Sequence, residues 1–128
     1  VAPANRRGGN RHRPDYRGGP SGPFTSPPIA AVGLSEEQAR QQDLKFQTKS
    51  QKASDWFTAR QAVEKTYGFK VMVEDDTGRI IGAHLVGPHA DEVINLFALA
   101  IRHDLTADNL KTTMFAYPTG ASDIGYML

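Results

Sequence analysis

Two rhythms of apolar and polar residues run along this chain of 128 residues. The first has a period of two. Phe69, Val71 and Val73 alternate with Lys70, Met72 and Glu74, as in a strand. Asp75-Asp76-Thr77-Gly78 has the composition of a turn, with Gly78 suited to the left-handed position of a bulged hairpin, and Arg79 to Val86 returns as the partner strand. Leu44-Lys45-Phe46-Gln47-Thr48-Lys49 alternates in the same way, as a strand with one wet face. Ile29 to Gly33 (IAAVG) is a short apolar run of the kind found in buried strands.

The second rhythm is helical. In DEVINLFALAIRH, residues 91–103, Val93, Ile94, Phe97 and Ile101 form one stripe, and Leu96, Leu99 and Ala100 extend it around the cylinder. A helix apolar over so much of its girth is covered on two sides. The sheet of so small a domain supplies only one cover, which predicts a second subunit on the other. A shorter helix starts at Leu34-Ser35-Glu36-Glu37-Gln38, where Ser35 and Gln38 have the spacing of a capping box and the glutamates suit the positive end of the dipole. It is expected to reach about Gln42. Thr106-Ala107-Asp108 opens another short helical turn with cap chemistry. Residues 53–66 (ASDWFTARQAVEKT) fit two readings, a helix with Trp56, Ala59 and Val63 on one face or a single turn inside a loop. Elements in this order predict an α+β domain, an antiparallel β-sheet with helices packed on it.

Composition changes the picture at the N-terminus. Residues 1–23 hold five arginines against one acid, Asp15, and removing them leaves ten basic against thirteen acidic residues. An arginine arm can contact phosphate. No aromatic residue interleaves these arginines before Tyr16, so the arm reads as a solvated linker and no nucleic-acid partner is expected. GGPSGP then marks a hinge, dividing a linker at 1–23 from a folded domain at 24–128. No apolar run approaches the roughly 20 residues that span a bilayer, and no apolar segment follows the first arginines as in a signal peptide. A cytoplasmic protein without a membrane partner is the expectation.

Candidate chemistry within the chain is sparse. With no cysteine there is no disulfide framework, thiolate metal site or cysteine nucleophile. His12, His84, His89 and His103 show no helical i, i+4 pair, so no metal site is expected. Gly78, Gly82 and Gly87 do not form a nucleotide fingerprint, and no nucleophile elbow surrounds a serine. The end of the chain, MFAYPTGASDIGYML, is unusual in a different way: it closes on apolar residues where tails ordinarily carry solvated ones.

Three segments in order, FTSPPIAAVGLSEEQAR at 24–40, GRIIGAHLVGPHADEVINLFALAIR at 78–102 and FAYPTGASD at 115–123, resemble the C-terminal dimerisation (interface) domain of the FAD-dependent pyridine nucleotide–disulfide oxidoreductases. That family includes glutathione reductase, dihydrolipoamide dehydrogenase and mercuric reductase. NRHRPDYRG at 10–18 resembles the end of the preceding flavin domain. The resemblance implies FAD and NAD(P)H domains upstream in the same polypeptide, with a redox-active cysteine pair beside the flavin. It also implies a homodimer in which this domain forms most of the interface, with Val93, Leu96, Phe97, Leu99 and Ala100 as the residues at the contact. The fragment alone is then expected to bind no flavin and to reduce nothing; the parent protein is the enzyme.

In the family a His-Pro-Thr tail, with a glutamate five residues after the histidine, reaches the partner's active site. The histidine exchanges protons with the cysteine thiolate and the glutamate orients it. This chain carries Tyr117 at the histidine position and Ser122 at the glutamate position, with Asp123 next. The resemblance makes these the positions of catalysis, and directs Tyr117, Pro118 and Thr119 to the partner's flavin. A phenol, with its pKa near 10, is poorly matched to proton transfer at neutral pH. Tyr117 therefore either packs against the flavin edge or uses its hydroxyl to help bind substrate. The Tyr117–Pro118 bond is expected to be cis, with the aromatic ring stacked on the proline ring. A tyrosine here is similar to mercuric reductase, which leaves a metal-ion reductase domain as one alternative and a stand-alone protein-interaction module as another.

Overall fold

The computed structural model describes residues 19–22, 25–52 and 66–128. Most of the arginine arm, Phe24 and the ambiguous segment except Thr66 lie outside them.

The alternating segments pair into one antiparallel sheet of four strands, β1 (Ile29–Gly33), β2 (Phe46–Lys52), β3 (Gly68–Glu74) and β4 (Ile80–Val86), in the order β1-β4-β3-β2. The β3–β4 hairpin forms where the alternation predicts it. Gly68 pairs with Val86, Gly78 takes a left-handed φ of 70°, and the ladder shifts between Met72 and Val73. β2 begins at Phe46 rather than Leu44. The chain leaves the preceding helix through Asp43 at φ 55°, and the Leu44 amide still donates to the Ala39 carbonyl (3.1 Å), which holds Leu44 out of the ladder. The fold starts before Phe24, since Ser21 and Ala31 exchange two backbone hydrogen bonds of 2.7 Å.

Helix α1 (Glu36–Gln41) has the predicted capping box: the Gln38 amide donates to the Ser35 hydroxyl and the Ser35 amide to the Gln38 side chain. It belongs to the side of the sheet that carries Lys70 and His84. Lys70 pairs with Glu36 at 3.0 Å, and the His84 ring stands 3.3 Å from the Leu34 carbonyl oxygen. The long helix, α2 (Ala90–Arg102), lies across β1 and β4 on the opposite side. There the register aligns Ala30, Leu85 and Phe69 in one row and Val32, Ala83 and Val71 in the next, all buried. Helix α3 (Ala107–Thr112) is capped reciprocally by Thr106 and Asn109.

The end of the chain makes up the rest of that layer. A 3-10 turn (Gly120–Asp123) runs directly into α4 (Ile124–Met127); the turn packs on α2 and α4 reaches α3 and β3. The second cover expected for α2 from another subunit is therefore supplied in part by the chain itself. Among the described residues no helix is long and apolar enough to cross a membrane.

Candidate functional site

The tail has two unlike sides. Its inward side carries Ile124 and Met127, 0% and 1% exposed, and Asp123, a charged residue buried in the core. Burying two such aliphatic side chains is worth about 1.5–3 kcal/mol each. The outward side carries Tyr117 and Tyr126, 76% and 69% exposed, with Met114 almost fully exposed just upstream. The two tyrosines, Phe115, Lys111 and Ser122 border an open groove of about 430 Å³. The docking character read in this segment is thus divided. One side docks onto its own domain and the other faces outward.

Local hydrogen bonds set the shape of the turn between the two sides. The Tyr117–Pro118 bond is cis, as expected, and the Ser26–Pro27 bond is cis as well. Thr119 caps the 3-10 turn: its hydroxyl accepts from the Ser122 amide (3.3 Å) and donates to the Ala116 carbonyl (2.5 Å). The Ser122 hydroxyl accepts from the Thr119 amide (3.3 Å) and donates to the Thr119 carbonyl (2.6 Å). Ser122, at the position of the family glutamate, is thereby occupied in holding the turn that follows Tyr117.

Asp123 turns into the core, where the Tyr67 hydroxyl donates to its carboxylate at 3.1 Å. Burial, reinforced by the Asp123 carboxylate and by the hydrogen bond to it, pushes the Tyr67 phenol well above its ordinary pKa. Neither residue was anticipated in this role, because 56 positions separate them and no local pattern links them. Two glycines make room for the arrangement. A Cβ at Gly87, where φ is 124°, would stand 2.6 Å from the Tyr67 ring, and one at Gly120 would meet the Cβ of His89 at 2.8 Å.

The helix residues expected at the subunit contact are distributed differently from the sequence reading. Val93, Phe97 and Ala100 are buried in this chain's own core, so they have no surface to give a partner. Leu96 is partly buried against the same core, and Leu99 is 53% exposed. Of the five residues expected at the contact, only these two keep surface on this chain, because sheet and tail together enclose the rest. Among the described residues no three His, Asp or Glu side chains gather as metal ligands.

A four-stranded antiparallel sheet, covered by one long helix and closed by a tail with an outward aromatic turn, defines an α+β docking domain. Comparison with known proteins gives that class its family. The chain belongs to the pyridine nucleotide-disulphide oxidoreductase dimerisation-domain family, whose model matches residues 20–127. It is 44% identical over 128 residues to the uncharacterized 19.7 kDa protein in the mercuric resistance operon of Staphylococcus aureus, covering 100% of this chain and 71% of that one. It is 37% identical over 125 residues to a dihydrolipoyl dehydrogenase of Chlamydia pneumoniae, covering 93% of this chain and 26% of the enzyme. Among solved structures, the flavoprotein disulfide reductase RclA of Escherichia coli superposes with a TM-score of 0.80 at 26% identity, over 84% of this chain and 25% of RclA. The chain thus spans about a quarter of the two enzymes it matches here. The fold and the dimerisation-domain reading hold as expected from the three sequence segments.

Proposed function

We propose that this domain pairs two copies of its parent polypeptide and carries the 115–123 turn to the flavin and disulfide site of the opposite subunit. The observation that carries the reading is the two-sidedness of the tail: Asp123, Ile124 and Met127 fix it from within, while Tyr117 and Tyr126 are left outside. Exposed aromatic side chains on a rigid support are what a docking surface requires. Leu96 and Leu99 add apolar surface from the exposed side of α2. The parent is a cytoplasmic flavoenzyme that binds FAD and NAD(P)H in domains outside 24–128.

The groove beside Tyr117 is open, so these residues fit FAD as one wall and not as a cradle. FAD held by the other subunit would supply the electron relay between nicotinamide and disulfide. Tyr117, Pro118 and Thr119 would stand against it and exclude water. Tyr117 acts there as a packing group. The glutamate that orients a base in the family is replaced by Ser122, already engaged with Thr119, and the neighbouring acid Asp123 is turned away into the core. A metal-ion reductase of the mercuric type is the second reading, favoured by the tyrosine at position 117 and by the operon of the Staphylococcus aureus relative.

Sedimentation equilibrium of the full chain tests the pairing. A concentration-dependent dimer weakened by Leu99→Glu is expected, and a monomer at every concentration would sink the proposal. Turnover of the parent enzyme tests Tyr117: Tyr117→Phe should cost less than about tenfold. A loss within the ~10²–10⁴ range of general acid–base catalysis, with dimer and flavin intact, would make the hydroxyl catalytic.

A further inference from the structure

We propose that the buried Tyr67–Asp123 hydrogen bond is a positioning pair that fixes the orientation of the tail on the core, and so sets where the Tyr117 turn stands for a second copy of this chain. The inference rests on the docking reading above and adds two residues that neither the family motif nor the groove contains.

The argument is geometric. Tyr67 directly precedes β3, one of the two central strands, so its ring is carried by the most fully paired part of the sheet. Asp123 ends the 3-10 turn, six residues after Tyr117. Ile124 and Met127 hold the tail down by apolar burial, which fixes depth but is non-directional. A hydrogen bond has a direction, and the 3.1 Å contact to the Tyr67 hydroxyl fixes rotation about the tail axis. Rotation at Asp123 is passed on to Tyr117 because the intervening turn is closed. Ser122 and Thr119 bond reciprocally, and Thr119 bonds back to the Ala116 carbonyl. The cis Tyr117–Pro118 unit lies inside this closed loop.

Two further observations agree. Gly87 and Gly120 leave the space in which Tyr67 and the 3-10 turn sit; a Cβ at either would collide with the Tyr67 ring or with His89 and Val93. A polar pair is also an expensive way to fill a core, and its gain over an apolar pair is uniqueness of geometry. In the family the glutamate that orients the motif histidine stands five residues after it and acts within the site. Here Ser122 occupies that position, and the acid one residue later acts from inside the domain.

Amide hydrogen exchange and sedimentation equilibrium on the full chain test the pair together. Tyr67→Phe keeps the ring and removes the donor. The expected result is at least about tenfold less protection at Ser122 to Met127, with the amides of Val71 and Leu85 changed less than about twofold. The dimer dissociation constant should rise about tenfold. Asp123→Asn, which retains an acceptor, should give a smaller loss, and Tyr67→Phe with Asp123→Ala should lose little more than the worse single substitution. Equal loss of protection in sheet and tail would reduce the pair to ordinary core stability and overturn the proposal. An unchanged tail, or a loosened tail with undiminished dimerisation, would overturn it too. A wild-type chain that never pairs would sink the docking reading alone, and the exchange pattern would then decide by itself whether the pair positions the tail.

Discussion

Helix α2 and the tail both place side chains at the bottom of the same core, but they do so by different means. α2 buries Val93, Ile94, Phe97, Ala100 and Ile101 through a repeating stripe, and its ladder of backbone bonds keeps them on one side of the helix, against the sheet and the 3-10 turn. The tail has too few residues for a stripe. It buries Ile124 and Met127 from a single helical turn and relies on Thr119, Ser122 and the Tyr67–Asp123 contact to hold that turn in place. A repeated pattern therefore announces that a surface will be covered without saying by what. Here part of the cover over α2 is the 3-10 turn of the tail, while Leu99, Met114 and the two tyrosines stay exposed.

That difference can be broken or sharpened by experiment, and the largest effect is expected at the centre of the helix. Phe97→Ala should destabilise the fold by about 3–5 kcal/mol, because Phe97 is fully buried and a cavity would remain. Chemical denaturation measures it; a cost near 1 kcal/mol would mean that α2 is not the keystone described here. Ile124→Ala comes next, at about 2–4 kcal/mol. If that substitution left the unfolding midpoint unchanged, the tail would be an appendage and not part of the core.

The third effect depends on pH. The folded state raises the Tyr67 pKa, so below about pH 10 the phenol is protonated in both folded and unfolded chains and contributes no slope. Above about pH 10 the unfolded chain releases the proton and the folded chain keeps it. Stability then falls with rising pH, by up to about 1.4 kcal/mol per pH unit from this group. Subtracting the pH dependence of Tyr67→Phe isolates this term from the lysines and the other tyrosines. Parallel curves for the two proteins would show that Tyr67 is not shielded in solution. The smallest effect on the fold is expected at Leu99→Glu, within about 0.5 kcal/mol, since the side chain is half exposed. Its effect belongs to association, and a large loss of monomer stability would place Leu99 inside the core after all.

Much of the fold was legible because it rests on local chemistry. Ser35 with Gln38, the Gly78 turn and the β3–β4 alternation each act within a few residues, and each element formed where its residues indicated. The strand beginning at Phe46 started later than its alternation suggested, since helix exit through Asp43 is a backbone matter that side-chain pattern does not record. The turn at Tyr117 and its cis proline were legible through the family motif. Asp123 was visible only as a neighbour of Ser122; its partner Tyr67 lies on the far side of two strands and two helices, and a contact of that sequence separation leaves no periodic trace. The same limit explains why Val93, Phe97 and Ala100 were assigned to a partner. Sequence pattern identified the apolar girth of α2 but could not show that the turn at Gly120–Asp123 packs on it.

β2 completes the sheet on one side, and among the described residues no strand pairs with its outer edge. An open edge invites a like edge from a neighbouring molecule. If two copies met there antiparallel about the middle of Phe46–Lys52, each Lys49 would fall opposite the other, and Phe46 would face Lys52. Directly opposed ammonium groups repel, and the remaining Gln, Thr and Ser side chains offer little apolar area in return. The consequence is separate from docking at Tyr117: two Lys49 ammonium groups, each already donating to the Leu128 carbonyl oxygen at 3.1 Å, would stand opposed at the midpoint of the outermost strand, which discourages stacking into ribbons.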